Sequence, residues 1–431
     1  MTELKKQGNI VAIVMMIFLF GMIAFVTNLA APMSVVLGEQ FNVSDSMGML
    51  GNMFNFLAYA VMGVPAGLML QKLGYKKTAL TAIGVGFLGV FIQFLSGHAV
   101  TKEFALPIYF TGAFVAGFSM TMLNTVVNPM LNTMGGGGNK GNQLIQVGGS
   151  FNSLLATFTP AFVGVLIGEA AKAQIKDVFP VMYIAMGVFA IIFLVLFLAS
   201  IPEPHAQRSA EPIGKLMSGA LKFRHFILGA VAIFVYVGVE VGTPATSILW
   251  LSKDPVFGKT IAGSVAGTYW LLMLFGRLFG ASIASKVSSK IMLSVSASIA
   301  LILIALAIFS PSSSLVSMPL MQRSAAGSLS FGLTQVPINA MFLVLVGLFT
   351  SIMWGGIYNL AVEGIGKYLA AASGLFMVMV CGGGIIPWIQ ANIADITSSY
   401  LTSYWVIVAG FAYLIFYALF GSKNVNKDIP V

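Results

Sequence analysis

Four side-chain amides lie inside stretches that are apolar enough to cross a bilayer. They are Asn124, Asn128, Gln146 and Asn152, and they flank a glycine run at 135–138. An amide in hydrocarbon is costly unless a partner hydrogen-bonds it, so such side chains face a bundle interior or a watery cavity. They either join neighbouring helices, as polar residues do in many membrane bundles, or line a binding cavity. Asn124 and Asn128 share one helical face, and the cluster as a whole favours a polar cavity.

Two ionisable residues, Glu240 and Arg277, lie deep within apolar segments. A charge in the bilayer is expensive, so each is by default a functional hypothesis. Helix rise places their depths about 10 Å apart, which the length of arginine, helix tilt or a water could partly bridge. In the alternative structural roles, Arg277 binds helix-end carbonyls and Glu240 makes a hydrogen bond to a neighbouring helix. We assign both residues to coupling.

The composition is that of an integral membrane protein. Of the 431 residues, 58% are hydrophobic and 8% are charged, and the mean hydropathy is +0.95; soluble domains are about 25% charged. The net charge of +9 comes from short basic clusters between apolar runs, which indicates membrane topology and not nucleic-acid binding. The single cysteine, Cys381, excludes an internal disulfide and a cysteine metal site. We expect no resident cofactor and no metal.

The apolar runs predict an all-α integral membrane protein with twelve transmembrane helices in two pseudo-symmetric six-helix bundles. A span needs about 20 mostly apolar residues. The stretches that meet this criterion are 9–38, 46–70, 78–97, 105–133, 142–168, 178–201, 224–251, 260–284, 290–309, 337–362, 369–393 and 399–421. The longest polar interval predicts a cytoplasmic linker at 201–223 between bundles 1–200 and 224–431. Most of the 22 lysines and arginines fall on the side of the N-terminus, which predicts that both termini are cytoplasmic.

The two halves of the chain repeat a local pattern. The segment 67–80, which ends one predicted helix and opens the next, is similar to the segment 280–293 in the second half. Related halves of this kind place a substrate site between them near the bilayer midplane.

Several motifs resemble known transporter signatures. Gly67, Lys72 and Gly74 with two following lysines resemble the major facilitator signature Gly-x-x-x-Asp-Arg-x-Gly-Arg-Lys, with Gln71 at the acidic position. The motifs Leu123-Asn-Thr-Val-Val-Asn-Pro129, Ser150-Phe-Asn-Ser153, Tyr236-Val-Gly-Val-Glu-Val241, Leu360-Ala-Val-Glu-Gly-Ile-Gly-Lys-Tyr-Leu369 and Gly382-Gly-Gly-Ile-Ile-Pro-Trp-Ile-Gln390 resemble the fucose:proton symporter family, including its glucose/galactose members.

The resemblance implies a secondary active transporter, not an enzyme, in a bacterial inner membrane. It would import a monosaccharide, a hexose or deoxyhexose such as glucose, galactose or fucose, by cation symport and alternating access. An alternative substrate is an N-acetylated or acidic sugar, such as N-acetylglucosamine or a sialic acid whose carboxylate meets Arg277. A non-transporting membrane sugar sensor is a remote alternative. The expected partners are the sugar, the coupling cation and the bilayer, with the protein a monomer.

Amides match sugar hydroxyls, and aromatic rings pack on the apolar side of a pyranose. The predicted substrate-binding residues are Asn28, Asn55, Asn124, Asn128, Gln146, Asn152, Trp354 and Asn359. Asn124 and Ala31 stand where the resembling family has carboxylates, so neither can carry a proton. Glu240 is then the deep carrier for proton coupling, or an oxygen ligand for sodium.

Overall fold

The computed structural model describes residues 10–27, 40, 50–99, 101–167, 174–203, 213–323, 329–426 and 428–429. The helices of the first half are α1 (Ile10–Thr27), α2 (Leu50–Ser96), α3 (Lys102–Met134), α4 (Gly138–Ile167) and α5 (Phe179–Leu198), with a 3-10 turn at Ile175–Val178. The later elements are α6 (Ile213–Ala220), α7 (Arg224–Lys253), α8 (Gly258–Ile283), α9 (Ser289–Phe309), β1 (Leu315–Arg323), β2 (Leu329–Pro337), α10 (Ile338–Thr350), α11 (Met353–Ala361), α12 (Leu369–Val378), α13 (Gly382–Thr397), α14 (Tyr400–Ser403) and α15 (Trp405–Phe416), with 3-10 turns at Gly366–Tyr368 and Met379–Cys381 and a π-turn at Tyr417–Gly421.

The predicted all-α membrane architecture is confirmed. Two predicted spans are merged in α2, and two others, 337–362 and 369–393, are each divided between two helices. Among the described residues, nine helices are long and apolar enough to cross a membrane, and the bent pair α10–α11 makes a tenth span. Helix α2 is interrupted at Gly74 and therefore holds two predicted spans. Helix α4 covers the predicted span 142–168 as far as Ile167. The predicted first span, 9–38, is described only as far as Thr27.

The break in α2 is fixed by a carboxylate from the start of the 201–223 segment. Gly74 has φ 83°, in the left-handed region where a side chain is strained. The Glu203 carboxylate accepts hydrogen bonds from the backbone N–H of Tyr75 (2.8 Å) and of Lys76 (3.1 Å). The ammonium of Lys76 donates to the carbonyl of Ala199 (2.6 Å). Glu203 therefore supplies the negative charge that the sequence lacks on the α2 side of this loop.

The loops that carry most lysines lie at one end of the molecule. Between one of these loops and the next the chain crosses an even number of times. Lys72 and Lys76, Lys140, and Lys286 with Lys290 therefore share one side. We call this end the lysine-rich face. The short helix α6 lies within the interval predicted as a linker and packs on α12 and on the 3-10 turn before it. Gly219 leaves no room for a Cβ beside the ring of Tyr368 in that turn.

A β-hairpin that the sequence did not reveal joins α9 to α10 on the opposite side. Strands β1 and β2 are antiparallel and pair Met321 with Phe331. The side chains of Met318, Leu320 and Val336 are buried on one face of the hairpin against α7, α8 and α10. The backbone N–H of Met321 donates to the Thr268 hydroxyl of α8 (2.9 Å). The hairpin therefore packs the α9–α10 connection onto the second bundle.

Candidate functional site

The amides of α3 form a chain of hydrogen bonds that crosses from one bundle to the other. Asn124 Nδ2 donates to the Tyr59 hydroxyl (2.8 Å), and Asn128 Nδ2 donates to the Asn124 carbonyl (2.8 Å). Trp354 Nε1, on α11 of the second bundle, donates to Asn128 Oδ1 (2.9 Å). Asn124 and Asn128 are both buried. The ring of Trp354 also meets Tyr236 edge to face, with centroids 6.3 Å apart. Asn128 and Trp354 therefore position each other at the interface.

The break between α10 and α11 presents two backbone carbonyls to other helices. The two helices bend by 40° across residues 351–352. The last carbonyls of a helix lack intrahelical partners and can accept hydrogen bonds from side chains, as at Ser351. The Ile352 carbonyl, at the start of α11, also accepts from the Gly356 N–H at 3.4 Å. Arg277 Nε donates to the Ser351 carbonyl (3.1 Å), and Gln146 Nε2 donates to the Ile352 carbonyl (2.7 Å). Arg277 thus fulfils the structural role that the sequence left open, and Gln146 joins α4 to the second bundle.

Arg277 connects the carboxylate of Glu240 to the first bundle. Its Nη2 lies 3.1 Å from Glu240 Oε1, so the direct pair that the sequence left open is formed. Its Nη1 donates to the Gly149 carbonyl (3.0 Å), the Ser153 hydroxyl (2.7 Å) and Asn152 Oδ1 (3.3 Å). Both charged side chains are largely buried, with 10% and 12% of their surface exposed. The pair therefore lies at the bundle interface with its charge compensated.

Helix α7 frees a second acceptor next to this pair. Pro244 has no N–H to donate to the carbonyl four residues earlier, which belongs to Glu240. The Tyr269 hydroxyl of α8 donates to that carbonyl (3.1 Å) and also lies 3.2 Å from the Thr350 hydroxyl. Helix α8 therefore binds both the backbone carbonyl of Glu240, through Tyr269, and its carboxylate, through Arg277.

A second amide layer lies closer to the lysine-rich face. Asn132 Nδ2 donates to Asn359 Oδ1 (2.8 Å), and Asn359 Nδ2 donates to the Ser289 hydroxyl (3.0 Å). Gln143 Nε2 donates to the Ala281 carbonyl (3.2 Å). Asn132 and Gln143 are not among the residues predicted from the sequence. The signal for Asn132 was present, since it lies four residues after Asn128 and continues the same helical face.

The structure brings most, but not all, of the predicted residues together. Asn124, Asn128 and Trp354 form one hydrogen-bonded group, and Asn152, Arg277 and Glu240 form a second. Tyr236, four residues before Glu240 on α7, meets the Trp354 ring of the first group. Gln146 and Asn359 lie towards the lysine-rich face. Asn55 lies apart, buried between α2 and α3 near Gly117, with its side-chain oxygen unpartnered. Asn28 lies outside the described residues. Among the residues that the structure describes, no three histidine, cysteine or acidic side chains are grouped to hold a metal.

The model of the Major Facilitator Superfamily matches residues 13–387. The chain belongs to this superfamily. It is 29% identical to the glucose/galactose transporter of Brucella abortus, over 98% of this chain and 97% of the relative. It is 21% identical to the L-fucose-proton symporter of Escherichia coli, over 98% of this chain and 96% of the relative. The crystal structure of the superfamily transporter FucP in the outward conformation superposes with a TM-score of 0.79 at 18% identity, covering 97% of this chain and 100% of that chain.

These matches confirm the resemblance inferred from the sequence motifs. The fold is that of the Major Facilitator Superfamily, and the protein is a multi-pass membrane transporter and not an enzyme. In a superfamily built from two related bundles, the space between the bundles is where substrates bind. The amide cluster and the Glu240–Arg277 pair occupy that position in this chain.

Proposed function

We propose that the protein imports a neutral monosaccharide, a hexose or deoxyhexose, by cation symport and alternating access. The observation that carries this proposal is the set of neutral amides and an indole at the bundle interface, of which Asn152 contacts a buried carboxylate–arginine pair. The names of the Brucella and Escherichia relatives support a sugar substrate. We place the protein in a bacterial inner membrane as a monomer, with both termini, the 201–223 segment and the lysine-rich face in the cytoplasm.

The sugar is held by side chains that both donate and accept hydrogen bonds. A hydroxyl has one donor and two acceptor positions, and an amide offers a complementary oxygen and NH₂ group. Asn128 and Asn152 supply such groups from the first bundle, and the Trp354 ring supplies an apolar face for a pyranose. Gln146 and Asn359 form the floor of the site towards the lysine-rich face. In this proposal Asn124 positions Asn128, and Asn55 belongs to the approach from the other side, while Asn28 stays a predicted substrate-binding residue.

The arrangement supports an outward-facing state. The bonds from Asn128 to Trp354, from Gln146 to Ile352 and from Asn132 to Asn359 all lie in the half of α3 or α4 nearest the lysine-rich face. A sugar approaching a site closed on that side enters from the opposite one. With the lysine-rich face in the cytoplasm, this is the direction of import.

Coupling is assigned to Glu240, with Arg277 as its partner. A proton or a sodium ion arriving at the carboxylate weakens its attraction for Arg277, because the negative charge that the guanidinium faces is neutralised. Arg277 also binds the first bundle through Gly149, Asn152 and Ser153, so a change at Glu240 reaches the interface directly. We favour a proton as the coupling ion, as the name of the Escherichia relative suggests, with sodium as the alternative.

The engagement of Arg277 favours a neutral sugar over an acidic one. A guanidinium has five N–H donors, and here its three nitrogens already contact Ser351, Glu240 and three groups of the first bundle. A sialic acid carboxylate would have to displace Glu240 from this partner. N-acetylglucosamine carries no charge and stays among the candidate substrates.

Counterflow uptake in proteoliposomes tests the proposal. Vesicles preloaded with an unlabelled sugar are diluted into its labelled form, for a panel of glucose, galactose, fucose, N-acetylglucosamine and sialic acid. We expect transient accumulation of at least one neutral hexose or deoxyhexose and none of sialic acid. Accumulation of sialic acid alone would contradict the proposed substrate class, and no counterflow with any sugar would contradict sugar transport.

A further inference from the structure

We propose that closure of the lysine-rich face depends on neutral amides and on two close-approach glycines, Gly355 and Gly374. These glycines act as positioning residues that set the balance between the two states of the transport cycle. The inference rests on the alternating access of the proposed function and adds the residues that control it.

The first line of evidence is the chemistry of the contacts between the bundles at this face. Asn132, Gln143 and Gln146 of the first bundle donate to an amide oxygen and two backbone carbonyls of the second. Asn142 Nδ2 approaches the sulfur of Met292 at 3.8 Å. These contacts carry no formal charge, so their strength depends on close packing and not on pH or ionic strength. Anything that widens this interface by a fraction of an ångström weakens several hydrogen bonds together.

Gly355 permits that close approach on the α4 side. A Cβ at this position would lie 2.8 Å from Asn142 Oδ1 and 2.9 Å from Gln146 Nε2. Gln146 cannot move away freely, because the same Nε2 donates to the Ile352 carbonyl at 2.7 Å. The next residue, Gly356, is a matched control, since a Cβ there would lie 3.7 Å from the Ser289 carbonyl oxygen, an ordinary contact.

Gly374 permits a close crossing on the other side of the interface. A Cβ on this α12 residue would lie 2.6 Å from the Gly63 carbonyl oxygen and 2.7 Å from the Gly67 Cα, both in α2 of the first bundle. The obstructing atoms are backbone, so relief requires the two helices, and hence the two bundles, to separate. Gly384, in the following helix α13, is the control, because a Cβ there would meet Phe56 Cβ at 3.5 Å.

One added methyl group at either glycine therefore acts as a wedge between the bundles. Each bundle keeps its own core, since Gly355 meets the amides of α4 and Gly374 meets the backbone of α2 across the interface. The wedge penalises the state that is closed at the lysine-rich face and leaves the open state unaffected. The equilibrium therefore shifts towards the open state.

A cysteine reporter measures this shift without any sugar. Ala281, which is 9% exposed and whose carbonyl binds Gln143, is changed to cysteine in a Cys381→Ala background. The purified protein in lipid nanodiscs is labelled with a maleimide, so its sidedness does not matter. We expect Gly355→Ala and Gly374→Ala to raise the labelling rate about fivefold or more. The controls Gly356→Ala and Gly384→Ala should stay within about twofold of the parent.

A second pair of variants guards against misfolding. Gln146→Ala and Asn132→Ala remove hydrogen bonds without adding atoms and should raise labelling in the same direction. If a glycine variant does not purify as a folded monodisperse protein, the labelling rates of Gln146→Ala and Asn132→Ala test the inference in its place. Unchanged labelling in all folded variants, or equal acceleration in the controls, would overturn the inference. Because the readout uses no substrate, it can succeed when every sugar fails in counterflow, which separates the two proposals.

Discussion

Glu240 Oε1 lies 3.1 Å from Arg277 Nη2, and the same guanidinium binds the first bundle through Nη1. One cation is therefore shared between a carboxylate on α7 and the backbone and side chains of α4. This arrangement explains how an event at a single buried carboxylate can act on the contact between two bundles. It also predicts that removing either charge leaves the other uncompensated and lowers the stability of the protein.

Removing one member of this pair should destabilise the protein more than removing both. Arg277→Gln leaves the Glu240 carboxylate buried without its cation, and breaking a buried ion pair costs about 3–5 kcal/mol. The double variant Glu240→Gln/Arg277→Gln has no uncompensated charge and should recover much of that loss. Thermal unfolding of the purified proteins in one detergent checks the order. A double variant less stable than Arg277→Gln would show that the two residues act independently.

Asn152 should contribute directly to sugar binding. Its Nδ2 donates to the Phe20 carbonyl (2.7 Å) and its Oδ1 accepts from Arg277, so it stands between α1 and the charged pair. Asn152→Ala should weaken binding of the transported sugar by about 1–3 kcal/mol, because a polar partner is left unpaired. Asn392→Ala is the control, since that exposed amide bonds within its own helix to the Trp388 carbonyl. Equal affinity in a folded Asn152 variant would remove Asn152 from the site.

Much of this architecture could be predicted because membrane helices depend on local composition. A run of about 20 apolar residues must form a helix in lipid, so the helical elements follow from the sequence. The amides were found for the same reason, since each polar side chain in such a run needs a partner. Glu240 and Arg277 stood out by charge alone. Their direct contact did not follow, because it depends on the tilt of α7 and α8 and on the reach of the arginine side chain.

What could not be predicted depends on contacts between distant segments. The closure residue Asn132 binds Asn359, far away in the chain, and no local pattern identifies that partner. The close crossing of Gly374 over Gly63 is equally non-local. The hairpin was missed for a different reason. Its buried side chains alternate along the strands, which is a weaker signal than a helical span, and they lie in the interval between the strong predicted spans 290–309 and 337–362.

Glu203 should stabilise the first bundle. Its carboxylate binds the N–H groups of Tyr75 and Lys76 where α2 breaks at Gly74. Glu203→Ala should lower stability by about 1.5–3 kcal/mol, the usual range for hydrogen bonds to a charged group. Glu363→Ala, also on the lysine-rich side but outside this contact, is the comparison. The fall in the unfolding temperature should be confined to the Glu203 variant; equal falls would mean that Glu203 does not hold this loop.

The proposed orientation has a direct chemical test. In a Cys381→Ala background, single cysteines replace Lys140, on the lysine-rich face, and Ser312, in the connection between α9 and β1. Both positions are exposed, so a membrane-impermeant maleimide reaches them without unfolding. In intact cells we expect labelling at position 312 and none at 140, with the reverse in inside-out vesicles. Labelling of both from the same side would contradict the topology, and the opposite order would contradict cytoplasmic termini.

Concentrative uptake tests the central claim most directly. Proteoliposomes are given an inward proton gradient or an inward sodium gradient, each with the sugar identified by counterflow. One gradient should drive the sugar above its external concentration. Glu240→Gln should abolish that accumulation while sugar exchange across the membrane continues, because the carboxylate that carries the coupling ion is gone. Undiminished accumulation by Glu240→Gln, or uptake that never exceeds equilibration under either gradient, would contradict cation symport through Glu240.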